Sequence, residues 1–281
     1  MNFKPGLYIV STPIGNLNDI TLRAMDVLRS SNIIYCEDTR VSNKLLAKHQ
    51  IKSSLRLYND NSDSSTRNCI KSLILEGNVI SLISDAGTPL ISDPGYKLVR
   101  DLKEDNFHVD VIPGPCAAIA ALTLSGLPTD RFYFEGFLPK TKIAKINIFN
   151  NLSNLKCSLI FYETANRLLD TLQAAYETFG DRKANVAREI TKLFQESPTL
   201  LLSELITHYT NKSPKGEIVF IIHGASRQSI TVQDLQLEIA EFLKGGMSAK
   251  SVCDKIFENY NESYSRKEIY KITNEVKATL A

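Results

Sequence analysis

The chain reads as an α/β protein, with two α/β domains and a small helical region at the C-terminal end. Three observations predict this class. Short apolar runs alternate with helix-like runs through most of the 281 residues, the pattern of strands joined by crossover helices. Three of those runs stop at a loop holding both Pro and Gly, and a helix-like stretch follows each. Beyond Gly224 the strand-like runs cease and only helical periodicity remains.

The elements follow in order. Leu7–Ser11 is a strand broken by Thr12-Pro13-Ile14-Gly15-Asn16, and Thr21–Ser31 is the helix after it. Ile33–Cys36 is a second strand, ending on Glu37-Asp38-Thr39-Arg40, with helices at Ser42–His49 and Thr66–Leu75 beyond it. Val79–Ile83 runs into SDAGTPLISDPGY, the most informative stretch of the chain. Gly87 lets backbone approach a ligand, Pro89 and Pro94 stiffen the path, and Asp85 supplies a carboxylate. Helix Tyr96–Glu104 follows, then strand Val109–Ile112, loop Pro113-Gly114-Pro115-Cys116 and the small apolar helix Cys116–Leu124, whose first turn suits Pro115. Three kinked strand ends on one sheet edge predict a ligand crevice there. A boundary near Gly126–Thr129 precedes strands Phe132–Phe137, Ser158–Tyr162, Asn185–Arg188 and Glu217–His223, with helices Asn166–Phe179 and Glu204–Tyr209 among them. The polar stretch Gly224–Ser229 marks a second boundary, and Val232–Leu243, Ala249–Tyr260 and Ser265–Leu280 are the helices after it. The expected domains are therefore 1–126, 127–226 and 227–281.

Composition bounds the function. Apolar content of 43% and charge of 23% are those of a soluble globular protein. No apolar run reaches the roughly 18 residues of a membrane helix, and MNFKPG lacks a basic-then-apolar leader, so no membrane partner or signal peptide is expected. Five cysteines, odd in number and without a CxxC pair, predict reduced and mostly buried thiols and a cytoplasmic home. A net charge of +2 excludes general nucleic-acid glue, so RNA binding would use a local patch. The chain has no G-x-G-x-x-G, P-loop, H-E-x-x-H or G-x-S-x-G pattern, and its four histidines are scattered. No metal is expected.

The stretches LYIVSTPIGNLNDIT (Leu7–Thr21), CEDTR (Cys36–Arg40), ISDAGTPLISDPGY (Ile83–Tyr96), PGPCAAI (Pro113–Ile119), SGLPTDRFYFEGFLP (Ser125–Pro139), FYETANRLLDTL (Phe161–Leu172), AREITK (Ala187–Lys192) and KGE (Lys215–Glu217) carry a resemblance. In this order they resemble the tetrapyrrole-methylase superfamily, and its rRNA-methylating branch in particular. The resemblance implies two α/β domains with S-adenosylmethionine (SAM) in the cleft between them, and a homodimer. It implies 2′-O-methylation of a cytidine at the decoding centre of small-subunit rRNA, and the near-neutral charge favours the assembled 30S subunit as the substrate. It also implies cofactor contacts from Pro13 and Gly15, from Asp85, Ala86, Gly87, Thr88 and Ile91, from Cys116 and Ala117, and from Tyr162 and Glu163. Ala86-Gly87-Thr88-Pro89 replaces the Gly-Gly-Asp-Pro of the tetrapyrrole branch, which favours the rRNA branch. The Tyr58–Ser62 loop departs from the His- and Glu-rich pattern of the rRNA enzymes, which leaves its role open.

Methyl transfer to a ribose hydroxyl needs alignment and a proton acceptor or alkoxide-stabilising cation. Glu37, Asp38 and Arg40 are candidates at one strand end, and Glu189 with Lys192 at another. The same residues also read as an Asp helix cap with surface ion pairs. Between Glu135 and Glu163 no carboxylate occurs, and Lys140, Lys142 and Lys145 lie there. With Arg167 they are expected to contact RNA phosphate, or else to form a solvated helix face. Two further readings stay open: a methylase of a tetrapyrrole-like small molecule, and a non-catalytic RNA-binding or ribosome-assembly factor.

Overall fold

The computed structural model describes residues 3–59, 64–212, 214–225, 232–260 and 264–280. It divides into two compact units: Met1–Ser153 with Cys157–His223, and Asn154–Lys156 with Gly224–Ala281.

The first unit holds two five-stranded sheets. The first is built from β1 (Gly6–Val10), β2 (Ile33–Cys36), β3 (Ser54–Leu57), β4 (Val79–Leu82) and β5 (Val109–Ile112), in the order β3-β2-β4-β1-β5. All its pairings are parallel. Alternate strand residues serve two cores, as a pleated sheet covered on both faces requires. Tyr8, Val10, Ile34 and Cys36 pack with Ala24, Val27 and Leu28 of α1 (Leu22–Ser30) and Leu45 and Leu46 of α2 (Thr39–Lys48). Leu7, Ile33, Tyr35, Ile80 and Leu82 pack with Ile70 and Ile74 of α3 (Ser64–Leu75) and Leu98 and Leu102 of α4 (Tyr96–Glu104). The connection from β1 passes over β4 to β2, whereas that from β4 passes over β1 to β5. The two leave in opposite directions, so the carboxyl ends of β1 and β4 bound a switch-point crevice.

The second sheet contains β6 (Phe132–Phe137), β7 (Ser158–Thr164), β8 (Lys183–Arg188), β9 (Thr199–Leu201) and β10 (Glu217–Ile222), in the order β6-β7-β10-β8-β9. Only β6 and β7 run parallel. Helices α6 (Lys142–Leu152), α7 (Leu168–Phe179) and α8 (Leu202–Thr210) connect these strands. Helix α5 (Ala117–Ser125) precedes the sheet in sequence yet packs on it. Ala118, Ala121 and Leu122 meet Ile160, Ala187, Val219 and Ile221, and Ser125 accepts a 2.6 Å bond from the Thr199 hydroxyl. The expected boundary near residue 126 is therefore no packing boundary, because α5 belongs to the second sheet's core.

The second unit consists of α9 (Val232–Lys244), α10 (Ala249–Tyr260) and α11 (Arg266–Leu280), around Leu235, Ile239, Val252, Ile256, Ile269 and Val276. The expected junction at 226–227 lies outside the described residues, as do Asp60, Asn61 and Ser62. The sequence reading passes over β3, β9 and α6. β3 is an edge strand with Leu57 exposed, β9 has three residues, and neither shows a buried apolar run. Among the described residues no helix is long and apolar enough to cross a membrane.

Candidate active site

The three Pro/Gly loops on the first sheet knit into one wall. Thr12 and Gly87 exchange backbone bonds, Thr12 N to Gly87 O at 2.8 Å and Gly87 N to Thr12 O at 3.1 Å. The Thr12 hydroxyl donates to the Ser84 carbonyl at 3.1 Å. Thr88 Oγ1 donates to the Pro115 carbonyl and lies 3.0 Å from Ser11 Oγ. Gly87 sits at φ +83°, the left-handed region that costs a glycine little. These bonds hold loop 84–88 between the other two.

Facing this wall, across a cavity of about 360 Å³, stands the edge of the second sheet. The first half contributes Ile14, Glu37, Asp85, Ala86, Gly87, Thr88, Ile91, Ser92, Asp93, Cys116 and Ala117. The second contributes Phe137, Tyr162, Ala187, Glu189, Ile190, Lys192, Glu217, Ile218 and Val219. Two close approaches seat the halves on each other. Gly15 has the Ile190 carbonyl oxygen and Thr191 Oγ1 where a Cβ would go, and Gly136, at a bulge in β6, has Ser92 Oγ there.

The cavity is acid-rich: five carboxylates (Glu37, Asp85, Asp93, Glu189 and Glu217) face one lysine, Lys192. Their states differ. Lys192 Nζ lies 2.8 Å from Glu189 Oε1. Asp85 accepts the Asp38 backbone N–H at 3.1 Å, yet burial still raises its pKa. Asp93 is pushed up to about 6, first by burial and then by the nearby negative charges of Glu37, Asp85 and Glu217. Burial also raises the Tyr162 hydroxyl well above the ordinary tyrosine value.

The candidate residues divide accordingly. Glu37, Glu189 and Lys192 reach the cavity, as do Asp85, Ala86, Gly87, Thr88, Ile91, Cys116, Ala117 and Tyr162. Asp38 and Arg40 stand outside its lining. Asp38 caps α2 through Arg40 N at 2.8 Å and pairs with the Arg40 guanidinium at 2.6 Å, which holds the carboxyl down at about 2. A carboxylate so stabilised is a weak proton acceptor. Pro13 and Gly15 do not line the cavity either; Pro13 is buried, and Gly15 serves the contact between halves.

Three further expectations need correction. Lys145 is fully buried, its Nζ donating to Thr171 Oγ1 at 2.6 Å and lying 3.5 Å from Glu163 Oε2, so it has no surface to offer RNA. Glu163 is itself buried away from the cavity, where Thr171 Oγ1 donates to it at 2.6 Å. Arg167 pairs with Glu163 and donates to the carbonyls of Leu138 and, at 2.9 Å, Pro139. These three charges brace the chain behind Phe137 and Tyr162 instead of touching ligand or phosphate. Lys140 and Lys142 are exposed, the latter 2.7 Å from Glu177. Of the five thiols, Cys36 and Cys253 are buried and Cys69 is exposed, so burial is less general than expected. The cavity carboxylates that sequence reasoning missed are Glu217, at the start of β10, and Asp93, inside a loop read only for its Pro and Gly.

Residues 6–206 match the family model described as "Tetrapyrrole (Corrin/Porphyrin) Methylases". The chain belongs to that family. This methylase is 53% identical over 283 aligned residues to "Ribosomal RNA small subunit methyltransferase I" of Rickettsia prowazekii, covering 99% of this chain and 100% of that protein. It is 43% identical to the protein of the same name from Thermotoga maritima, with 78% of this chain covering 98% of the relative. Among solved structures, diphthine synthase shares the fold at a TM-score of 0.62 with 12% identity, over 77% of this chain and 89% of that one.

Methylases of this family draw on SAM. The cavity fits that molecule. Its volume is that of a small-ligand site. Its excess of carboxylates suits a ligand bearing a sulfonium and an ammonium against a single carboxylate. Glycine at position 87 leaves backbone accessible, while Ile14, Ile91, Ala117 and Val219 supply apolar surface for an adenosine.

Proposed function

We propose that this tetrapyrrole methylase transfers the methyl group of SAM to the ribose 2′-oxygen of a cytidine in small-subunit (16S) rRNA, at the decoding centre. The end-to-end match to relatives named for the small-subunit rRNA carries the choice of substrate. The acid-rich cavity supports the choice of methyl donor.

Bound SAM supplies an electrophilic methyl carbon on a positively charged sulfur. The chain's residues supply position and charge. Gly87 and the loops bonded to it fix one wall, and Glu189, Ile190 and Lys192 the other. Phosphates do not belong in so acidic a cavity, so only the target nucleoside enters it, swung out of its stack. Lys192 is the cation placed to steady charge on the acceptor oxygen. Arg40, 87% exposed, and the exposed Lys140 and Lys142 are the phosphate contacts outside. A net charge of +2 is too small to hold bare RNA tightly, which favours the assembled 30S subunit as substrate; a cytoplasmic setting and a homodimer belong to the same reading.

Incubation with isotope-labelled SAM tests the reading, using small subunits that lack their native methylation, deproteinised 16S rRNA and a tetrapyrrole as parallel acceptors. Label is expected in the small subunits. Label in the tetrapyrrole alone, or SAM binding with no acceptor labelled, would overturn the rRNA assignment.

A further inference from the structure

Five carboxylates line the cavity, and two of them are committed to other groups. Asp85 is committed to the Asp38 amide and Glu189 to the Lys192 ammonium. Glu37 directly follows the last residue of β2, and Glu217 is the first residue of β10. Asp93 differs in its backbone and its surroundings. Leu90 and Ser92 hold φ of +73° and +64°, and Gly95 follows at +132°. Non-glycine residues in that region carry strain, which persists only where surrounding structure enforces it and which gathers at working sites. Here the packing around the turn is close: Ser92 Oγ stands where a Cβ on Gly136 of the second sheet would go, and Leu90 and Leu82 fill the space beside Gly95. The strained turn delivers the Asp93 carboxyl, half-buried, into the cavity between the two halves.

We propose that Asp93 is the general base that accepts the proton of the attacking ribose hydroxyl, an inference that rests on the rRNA reading above. The new O–CH3 bond forms as the carbon–sulfur bond breaks and leaves its electron pair on sulfur. The hydroxyl proton passes to an Asp93 oxygen, and the resulting carboxylic acid returns it to solvent as product leaves. The sulfonium charge and the carboxylate charge disappear together, so no net charge is created in the cavity. The groups facing Asp93 are Glu37 from the end of β2, Asp85 and the Ser84 hydroxyl from its own loop, Glu217 of β10 and the Tyr162 hydroxyl of β7. The negative charge among them, together with burial, favours the protonated form and makes the carboxylate a better proton acceptor at neutral pH than an exposed one.

The test measures single-turnover methylation of unmethylated small subunits from pH 5 to 8, SAM affinity by calorimetry and thermal unfolding, for wild type, Asp93→Asn and Asp93→Glu. Wild-type turnover is expected to fall about tenfold per pH unit below about 6. Asp93→Asn should lose about 100-fold or more of turnover and the acid limb with it. It should bind SAM within about threefold of wild type and melt no lower at neutral pH, since it removes a desolvated charge crowded by other carboxylates. Asp93→Glu should regain part of the rate. Turnover of Asp93→Asn within about threefold of wild type, or a loss of SAM affinity that accounts for the whole defect, would overturn the role while leaving the rRNA reading intact. A wild-type protein that labels no small subunit would overturn both.

Discussion

A methyl group added to Gly15 would lie 2.7 Å from the Ile190 carbonyl oxygen and 2.9 Å from Lys192 Cγ. The first is backbone and cannot swing aside. Gly15→Ala should therefore push the two halves apart, at about 1–3 kcal/mol of stability, and weaken SAM binding by displacing Ile190 and Lys192. Chemical unfolding and calorimetry check both, and an unchanged stability would show that the contact is slack. Position 15 was legible in the sequence as a residue of importance, but as a ligand contact; its neighbour lies 175 residues onward and no local signal announces it. Lys145 failed for the same reason. A lysine in a carboxylate-free stretch reads as solvated, and only the fold brings Glu163 and Thr171 to it. Asp93 was hidden differently, since Pro94 and Gly95 drew the reading to backbone shape and away from the carboxyl between them.

The segment joining β8 to β9 carries Glu189, Ile190 and Lys192 to the cavity and is closed at its base by Glu196. Arg188 and Lys212 pair with Glu196 at 2.6 and 2.8 Å, and the Tyr209 hydroxyl donates to it at 3.0 Å. The Arg188 hydrogen bond first, with those from Lys212 and Tyr209, holds its carboxyl at about 2 against an ordinary 4.5. A depressed carboxylate contributes stability above its unfolded value and loses it as pH falls toward the folded one. Glu196→Gln should cost about 2–3 kcal/mol at pH 7, with the gap to wild type closing between about pH 4.5 and 2. A gap independent of pH in denaturant unfolding would remove the ion pairs from this role. At the start of α6, charge reversal at Lys140 and Lys142 should weaken small-subunit RNA binding and flatten its salt dependence. An unaltered slope would place both lysines in bulk solvent. The buried apolar run of β2 was legible to the residue, and so were β5 and β6, marked by their β-branched and aromatic residues. β3 and β9 were not, because SLRL and TLL are too short and too polar or exposed to mark a strand.

The α/β class followed from alternation and its two domains from the family resemblance, but the assignment of α5 followed from neither. Seven of its nine residues are apolar, with no one-sided apolar stripe, so nothing in them says which sheet they serve, and the structure gives them to the second. The helical unit has a core of its own. The Thermotoga maritima relative, 98% covered by 78% of this chain, is the shorter protein. A chain ending at Ala225 should thus stay folded and bind SAM within about threefold of the full protein; aggregation or lost binding would make the helical unit part of the cofactor site. The most direct measurement is nucleoside mass spectrometry of small-subunit rRNA after reaction with labelled SAM. Label in 2′-O-methylcytidine, alone or with a further base methylation, is the predicted result. Label confined to a base-methylated nucleoside with an unmodified ribose would contradict transfer to the ribose oxygen.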